Sequence, residues 1–225
     1  MSIELTDEIR TKVFTASMNS EDFKLYDENF ALAVLRYCFN DYDDLMVIDS
    51  PDLQSPDHSV GIEVTEITTS SNAAISGDFV NFRKTGKIKY KEKIEKNGGT
   101  ATNYSVSYLP VTEDDEMNAI EIVFRKKLKK LKKYKNKGFI KLGLIMLMSG
   151  PPIPTVALNW GDLIYKLQSS SNYKYDMIFF AYSSALSILD CSTGKTDYIH
   201  IKPDDLDALK RYARIEAEES KNQSV

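Results

Sequence analysis

The feature that most constrains the fold is an alternation of strand-like and helix-like segments after about residue 45. Short apolar segments typical of strands are LMVID at 45–49, DLQS at 52–55 and VGIEVTEI at 60–67. A helix-like segment at 112–138 separates them from the strand-like segment FIKLGLIMLM at 139–148. Another helix and strand follow. This order predicts the α/β class, with a mixed central sheet flanked by helices on both faces.

The remaining segments extend this architecture. Further helices are expected at 20–39, with Ser20 as the N-cap, at 155–168 and at 203–221, and further strands at 175–183 and 185–191. Thr112 and Asp115 form a capping-box pattern at the start of the 112–138 helix, and Gly138 ends it. We therefore expect an N-terminal lead-in at 1–19 and a single domain at 20–225. A partly irregular insertion is expected at about 70–110.

Composition is that of a globular protein in a reducing compartment. The chain has 225 residues, 42% hydrophobic and 28% charged, which is ordinary for a soluble domain. Its first residues lack the basic region and the apolar region of a secretory signal peptide. Its longest apolar run is too short to span a bilayer. Two cysteines make no disulfide framework. These features predict a cytoplasmic protein without membrane contact.

One segment is far more basic than the chain as a whole. The net charge is −4, yet RKKLKKLKKYKNK at 125–137 holds nine Lys or Arg and no acid. The field of such a patch can attract phosphate although the molecule is acidic. The candidate phosphate-binding residues are Lys126, Lys129, Lys130 and Lys133. The alternative is a solvated helix end whose positive charges complement the helix dipole.

Two carboxylates are expected to lie close together on neighbouring strands. Asp52 and Glu63 fall on segments joined by the short turn PDHS, and opposite residues of an antiparallel pair lie roughly 5 Å apart. Two carboxylates at that distance repel unless a cation lies between them. Oxygen ligands of this kind suit Mg²⁺ or Mn²⁺. The alternative is that Asp52 only caps a turn and Glu63 faces solvent.

The same stretch resembles a known nuclease family. SPDLQSPDHSVGIEVTEI at 50–67 looks like the core of the PD-(D/E)XK nuclease superfamily, which has the restriction-endonuclease-like fold, and of its bacterial and phage branch with a PD…GIEVT motif. The resemblance implies that Asp52 is the first acid of the motif and Glu63 the second. It also implies that the carbonyl of Val64 is a further metal ligand. The order of elements is similar over roughly residues 20–185.

The sequence departs from that family at the motif lysine, where Thr65 stands. Family members can supply the lysine from a neighbouring helix. On a helical wheel Lys127 falls within the apolar stripe of the 112–138 helix, whereas Lys126, Lys129, Lys130 and Lys133 point elsewhere. A lysine there is costly unless it is paired, and a carboxylate at a metal site would be a partner. Lys127 is therefore the candidate for the displaced lysine; the alternative is that it snorkels along the helix edge.

Glu28 is a further candidate on the first long helix. It shares a face with apolar residues, and nuclease folds of the resembled family often contribute an extra acid from that helix.

Two functions follow. The first is a metal-dependent phosphodiesterase acting on nucleic acid, with DNA favoured over RNA as the partner. A homodimer would suit cleavage of both strands of a duplex. The second is a catalytically inactive nuclease fold that serves as an interaction or immunity-type module and binds an acidic protein partner. Thr65 favours the second function, whereas Asp52, Glu63 and Lys127 favour the first.

Overall fold

A seven-stranded mixed sheet forms the centre of the molecule. The computed structural model describes residues 3–14, 18, 20–103, 105–108 and 111–222. The strands of the central sheet are β1 Met46–Val47, β2 Leu53–Gln54, β3 Val60–Glu66, β6 Lys141–Met148, β7 Met177–Tyr182, β8 Ala185–Asp190 and β9 Lys195–His200. A separate two-stranded sheet consists of β4 Thr100–Ala101 and β5 Val106–Ser107.

Eight α-helices surround these strands in the described part of the chain. They are α1 Asp7–Thr11, α2 Ser20–Cys38, α3 Ser70–Thr85, α4 Ile88–Lys96, α5 Glu113–Leu128, α6 Leu131–Asn136, α7 Pro154–Ser169 and α8 Pro203–Asn222. A 3₁₀ helix covers Asn40–Tyr42. Ser20 is already the first residue of α2, and the residue before it lies outside the described part. None of the helices described here is long and apolar enough to cross a membrane.

The sheet order is β1-β2-β3-β6-β7-β8-β9. The three central strands β3, β6 and β7 are parallel, and the pairs on either side of them are antiparallel. Parallel neighbours need a crossover connection, which α5 and α6 supply between β3 and β6 and α7 supplies between β6 and β7. The predicted α/β class with a mixed central sheet and flanking helices is thus confirmed.

Each face of the sheet is covered by its own helices. Along β6, Ile145 and Leu147 belong to a core with α2 and α8, whereas Leu144 and Met146 belong to a core with α5, α6 and α7. Successive strand residues point to opposite faces, so this alternation divides the strand between two cores. Side chains in the middle of the central strands are therefore buried on both faces, whereas Glu66 and Lys141 at strand ends are exposed.

The long helix expected at 112–138 is broken. The capping box of Thr112 and Asp115 starts α5 as predicted, but α5 ends at Leu128 and α6 begins at Leu131. Gly138 follows α6 with a φ of 93°, a left-handed conformation that glycine adopts without strain. The break changes the direction of the lysine side chains that follow it.

Two further segments differ from the sequence-based expectation. The 70–110 segment contains α3, α4 and the β4–β5 sheet, with a small core of Ile75, Ile94 and Ala101, where we expected a partly irregular insertion. Strand β9 was not expected, and its residues are mostly exposed. Within the lead-in, α1 is joined to the domain because Arg10 pairs with Asp205 of α8 at 2.7 Å.

Candidate active site

Asp52 directly precedes β2 and lies beside Glu63 of the adjacent strand β3. In the antiparallel β2–β3 pair Leu53 is opposite Ile62, and the same register places Asp52 opposite Glu63. Oδ2 of Asp52 accepts a hydrogen bond from the backbone N–H of Val64 at 2.7 Å. The Asp52 side chain therefore bridges two strands rather than capping a turn.

Glu63 is buried, with 1% of its surface exposed. The alternative that it faces solvent is wrong, because α5 and α6 cover the face of the sheet on which its side chain lies. Its Oε1 accepts from Lys127 Nζ at 2.5 Å and also from Lys130 Nζ, and its Oε2 accepts from the Tyr134 hydroxyl. Burial alone would raise the pKa of Glu63, but these three hydrogen bonds outweigh burial and lower it. Glu63 is therefore ionised at neutral pH.

Lys127 has the carboxylate partner that its position on an apolar stripe requires. Its Nζ also donates to the carbonyl of Val64 at 2.7 Å, and 13% of its side chain is exposed. Its backbone carbonyl accepts from the Tyr175 hydroxyl at 3.1 Å. The ammonium group of Lys127 is thus held by Glu63 and Val64 and its backbone by Tyr175, so the snorkelling alternative does not describe it.

Lys130 was expected to point away from this site, and that expectation is wrong. It lies in the break between α5 and α6, so a helical wheel drawn through 112–138 misplaces it. Its ammonium group binds the same oxygen of Glu63 as Lys127, although 44% of its side chain is exposed. Two positive charges therefore meet at one buried carboxylate.

Asp52, Lys127 and Lys130 line a charged cleft of about 380 Å³, whereas the buried Glu63 does not line it. Its acidic lining residues are Asp27, Glu28, Asp49, Asp52 and Glu66, and its basic ones are Lys24, Lys127 and Lys130. Glu28 is 8% exposed and pairs with Lys24 one helical turn earlier at 3.3 Å. The cleft thus brings Asp52, Lys127 and Glu28 together at one surface, although they are distant in sequence.

Three acids of the cleft, Asp52, Glu28 and Asp27, resist ionisation. Burial raises the pKa of Asp52, and the charge of Glu63 raises it further, against the Val64 hydrogen bond. Burial also raises the pKa of Glu28, which Lys24 opposes. Asp27 has a pKa of about 7, raised by burial and then by the charges of Glu66 and Glu28. A cation in the cleft would stabilise the ionised form of each of these groups.

The donor set agrees in chemistry with a hard divalent cation. Asp52 and Glu28 supply carboxylate oxygens, and Mg²⁺ and Mn²⁺ prefer such ligands. Both oxygens of Glu63 and the carbonyl of Val64 already accept hydrogen bonds from protein groups. Within the described residues no three His, Cys, Asp or Glu side chains are arranged to hold a metal ion. Coordination by Glu63 would therefore require Lys127 or Lys130 to release it.

The other lysines singled out from the sequence lie elsewhere, and so does His58. Lys126 and Lys129 are exposed, and Lys133 donates to the Ser50 hydroxyl at 2.9 Å. His58, in the turn between β2 and β3, stacks on Phe139 with the ring centroids 4.7 Å apart. None of these four residues lines the cleft.

Sequence analysis missed Tyr134 and Lys24 as site residues. Tyr134 shares the apolar stripe with Phe124 and Leu131, and only its hydroxyl distinguishes it. Lys24 lies four residues before Glu28, the spacing of an ion pair on a helix, and this signal could have identified it.

Comparisons with protein-family models, with curated proteins and with solved structures found no match to this chain.

Proposed function

We propose that this protein is a metal-dependent phosphodiesterase that acts on nucleic acid. The observation that carries the proposal is the pairing of Lys127 with buried Glu63 opposite Asp52, because Lys127 and Asp52 both line the cleft. Buried charge clusters of this kind are common at catalytic sites. The restriction-endonuclease-like fold and membership of the PD-(D/E)XK superfamily are part of the proposal, with Mg²⁺ or Mn²⁺ as cofactor. So is a reducing cytoplasmic location, which the free Cys38 and Cys191 support.

Each residue has a defined task in this proposal. Asp52 and Glu63, with the carbonyl of Val64, would hold the cation, and Glu28 would support it from α2. A divalent cation bound there activates water and screens the charge of a phosphodiester. Lys127 would leave Glu63 for the phosphate or the attacking oxygen and stabilise the negative charge that develops there. Lys127 would thereby replace the motif lysine that Thr65 does not supply.

The nucleic-acid strand would run from the cleft along the exposed lysines of α5 and of the break that follows. Lys126 and Lys129 are free of the Glu63 cluster and would contact phosphates, as would Lys133 once it leaves Ser50. DNA is the proposed substrate class. A homodimer would place two such sites on one duplex.

A second candidate function is a catalytically inactive interaction module. Lys127, Lys130 and Tyr134 together donate hydrogen bonds to both oxygens of Glu63. A site so fully paired can serve stability alone, and the exposed lysines would then bind an acidic protein partner. Metal affinity separates the two functions.

Calorimetric titration of Mn²⁺ into the protein tests the proposal without a guess at the substrate. We expect saturable binding that Asp52→Ala and Glu63→Ala both abolish. Glu121→Ala is the matched control, because Glu121 is an acid of α5 that pairs with Arg125 outside the cleft. The control should bind like the wild type.

The same variants should then be incubated with DNA and Mn²⁺. Wild type and Glu121→Ala should degrade it, and Asp52→Ala and Glu63→Ala should lose at least about 100-fold in rate, as expected when a catalytic metal is lost. Binding of Mn²⁺ that is equal in all four proteins, even with a short duplex present, would refute the metal site and favour the interaction module.

A further inference from the structure

A second cavity adjoins the charged cleft and differs from it in chemistry. Its volume is about 270 Å³, and its walls include the aromatic side chains of Tyr26, Phe30 and Tyr182. Tyr26 and Phe30 stack with their rings nearly parallel, 6.1 Å between centroids. The volume lies just below the range of drug-sized ligand sites, roughly 300–1,000 Å³, so the cavity suits one ring system.

The cavity lies where ligands of open α/β sheets usually bind. It is formed at the carboxyl ends of the parallel strands β6 and β7, against α2 and α8, and Leu147 and Ala181 form part of its floor. Ligands of such sheets bind outside the carboxyl ends of the strands. The charged cleft occupies the same end of β3, the parallel neighbour of β6.

Two acids connect the two spaces. Asp27 and Glu66 line the cavity and also the cleft that contains Asp52, Lys127 and Lys130. A molecule that spans both would place a flat apolar group among the aromatic side chains and a phosphate near the lysines. A nucleotide unit of a nucleic-acid strand has these two parts, joined by its sugar.

We propose that the cavity binds a single unstacked nucleobase of the strand whose phosphate lies in the cleft. This proposal rests on the proposed function for the identity of the polymer, and it adds a base-binding subsite. Stacking on aromatic side chains is how proteins hold unpaired bases. An enzyme with such a subsite acts on single strands or extrudes a base from a duplex.

The polar groups at the junction favour bases with an amino group. In their ionised forms Asp27 and Glu66 present carboxylate oxygens, which accept hydrogen bonds from the exocyclic amino group of adenine, cytosine or guanine. Thymine and uracil have no such amino group. Adenine-bearing strands should therefore bind more tightly than thymine-bearing strands of the same length.

The test is fluorescence anisotropy with labelled five-nucleotide single strands in EDTA, and again with Ca²⁺. Three strands share one backbone and carry adenine, thymine or abasic sites. The wild type should bind the adenine strand at least about fivefold more tightly than the abasic strand, the gain expected from one stacked base. The thymine strand should lie between the two.

Ser149→Trp blocks the cavity at its mouth, where Ser149 is exposed, so no core residue is changed. It should remove the preference for bases and leave affinity for the abasic strand unchanged. Ser170→Trp is the matched control. Ser170 is an exposed serine that follows α7 and precedes the amino end of β7, whereas the cavity lies at the carboxyl end of β7. The control should retain the wild-type preference. Circular dichroism checks that both variants fold.

Three results would overturn the base-binding site: equal affinity of wild type for adenine and abasic strands, a preference that survives Ser149→Trp, or no binding of any strand with or without Ca²⁺. Equal affinity for adenine and thymine would overturn the amino-group preference.

Asp52→Ala should retain the base preference although it lacks a carboxylate of the proposed metal site. A base preference without hydrolysis would therefore refute the phosphodiesterase alone, and hydrolysis without base preference would refute the subsite alone.

Discussion

Lys127 and Lys130 bind the same oxygen of Glu63 from different surroundings. Lys127 is largely enclosed and also satisfies the carbonyl of Val64, whereas nearly half of the Lys130 side chain is in contact with solvent. Water can replace an exposed ammonium group at little cost. Water reaches the position of the enclosed Lys127 ammonium group less easily, so loss of Lys127 leaves the buried charge of Glu63 less well compensated.

We therefore expect Lys127→Met to destabilise the protein by about 3 kcal/mol, near the lower end of the cost of breaking a buried pair. Lys130→Met should cost less than about 1 kcal/mol, as for exposed ion pairs. Urea denaturation at pH 7 measures both variants against the wild type. Equal costs for the two would show that burial does not distinguish the two lysines.

At this scale the sequence could identify some of the site and not the rest. Asp52 and Glu63 could be paired because a short turn joins their strands. Lys127 could be chosen because a charge on an apolar stripe needs a partner. Lys130 could not be found, since its direction depends on a helix break at Lys129 and Lys130, where helix propensity gives no signal. The expected direction of Lys133 came from the same helical wheel, which assumed one unbroken helix over 112–138.

At the scale of elements, β3 can lie close to the chain before β2 only because Gly61 has no side chain. A Cβ there would lie 2.7 Å from Cγ of Pro51 and 2.8 Å from a ring carbon of Phe139. Pro51 directly precedes Asp52, so this close approach helps to set the position of the carboxylate. Gly77 in α3 is the opposite case, because a Cβ there would meet nothing within 4 Å.

We expect Gly61→Ala to destabilise the protein by about 1–3 kcal/mol through overpacking and to weaken Mn²⁺ binding by displacing Asp52. Gly77→Ala should instead stabilise it by about 0.4–1 kcal/mol, because alanine restricts the unfolded chain and fits the helix. Thermal unfolding and the Mn²⁺ titration measure both variants. A neutral Gly61→Ala would mean that Pro51 and Phe139 move aside at no cost.

The elements that could be predicted are those with one strong pattern. The central strands are mostly apolar, and α5 has its capping box, so these strands and the start of α5 were assigned near their observed positions. Strand β9 has no such pattern, because it lies at the sheet edge and its side chains, as in KTDYIH, are mostly exposed. The 70–110 segment has few apolar residues because its own core is small, so its helices gave a weak signal.

In the whole molecule, positive charge is concentrated in one segment although the net charge is negative. The chain carries a net charge of −4, although residues 125–137 alone hold nine basic residues. Four of these are held by protein partners near the site: Lys127 and Lys130 by Glu63, and Lys133 and Lys137 by Ser50. Lys126 and Lys129 are exposed on the same segment and do not bind Glu63, so a polyanion can neutralise their charge without disturbing Glu63.

This concentration of charge sets how DNA affinity should depend on salt. Each phosphate neutralised on a duplex contributes about 0.9 to the slope of log affinity against log salt concentration. Replacement of Lys126 and Lys129 by Gln should therefore reduce the magnitude of that slope by about 1 to 2. Replacement of Lys166 and Lys174, two exposed lysines away from the 125–137 segment, should leave it unchanged. Anisotropy of a labelled duplex, measured in EDTA over a range of salt concentrations, gives all three slopes. If both double variants keep the wild-type slope, the lysine segment does not contact phosphate, and an acidic protein becomes the better partner for it.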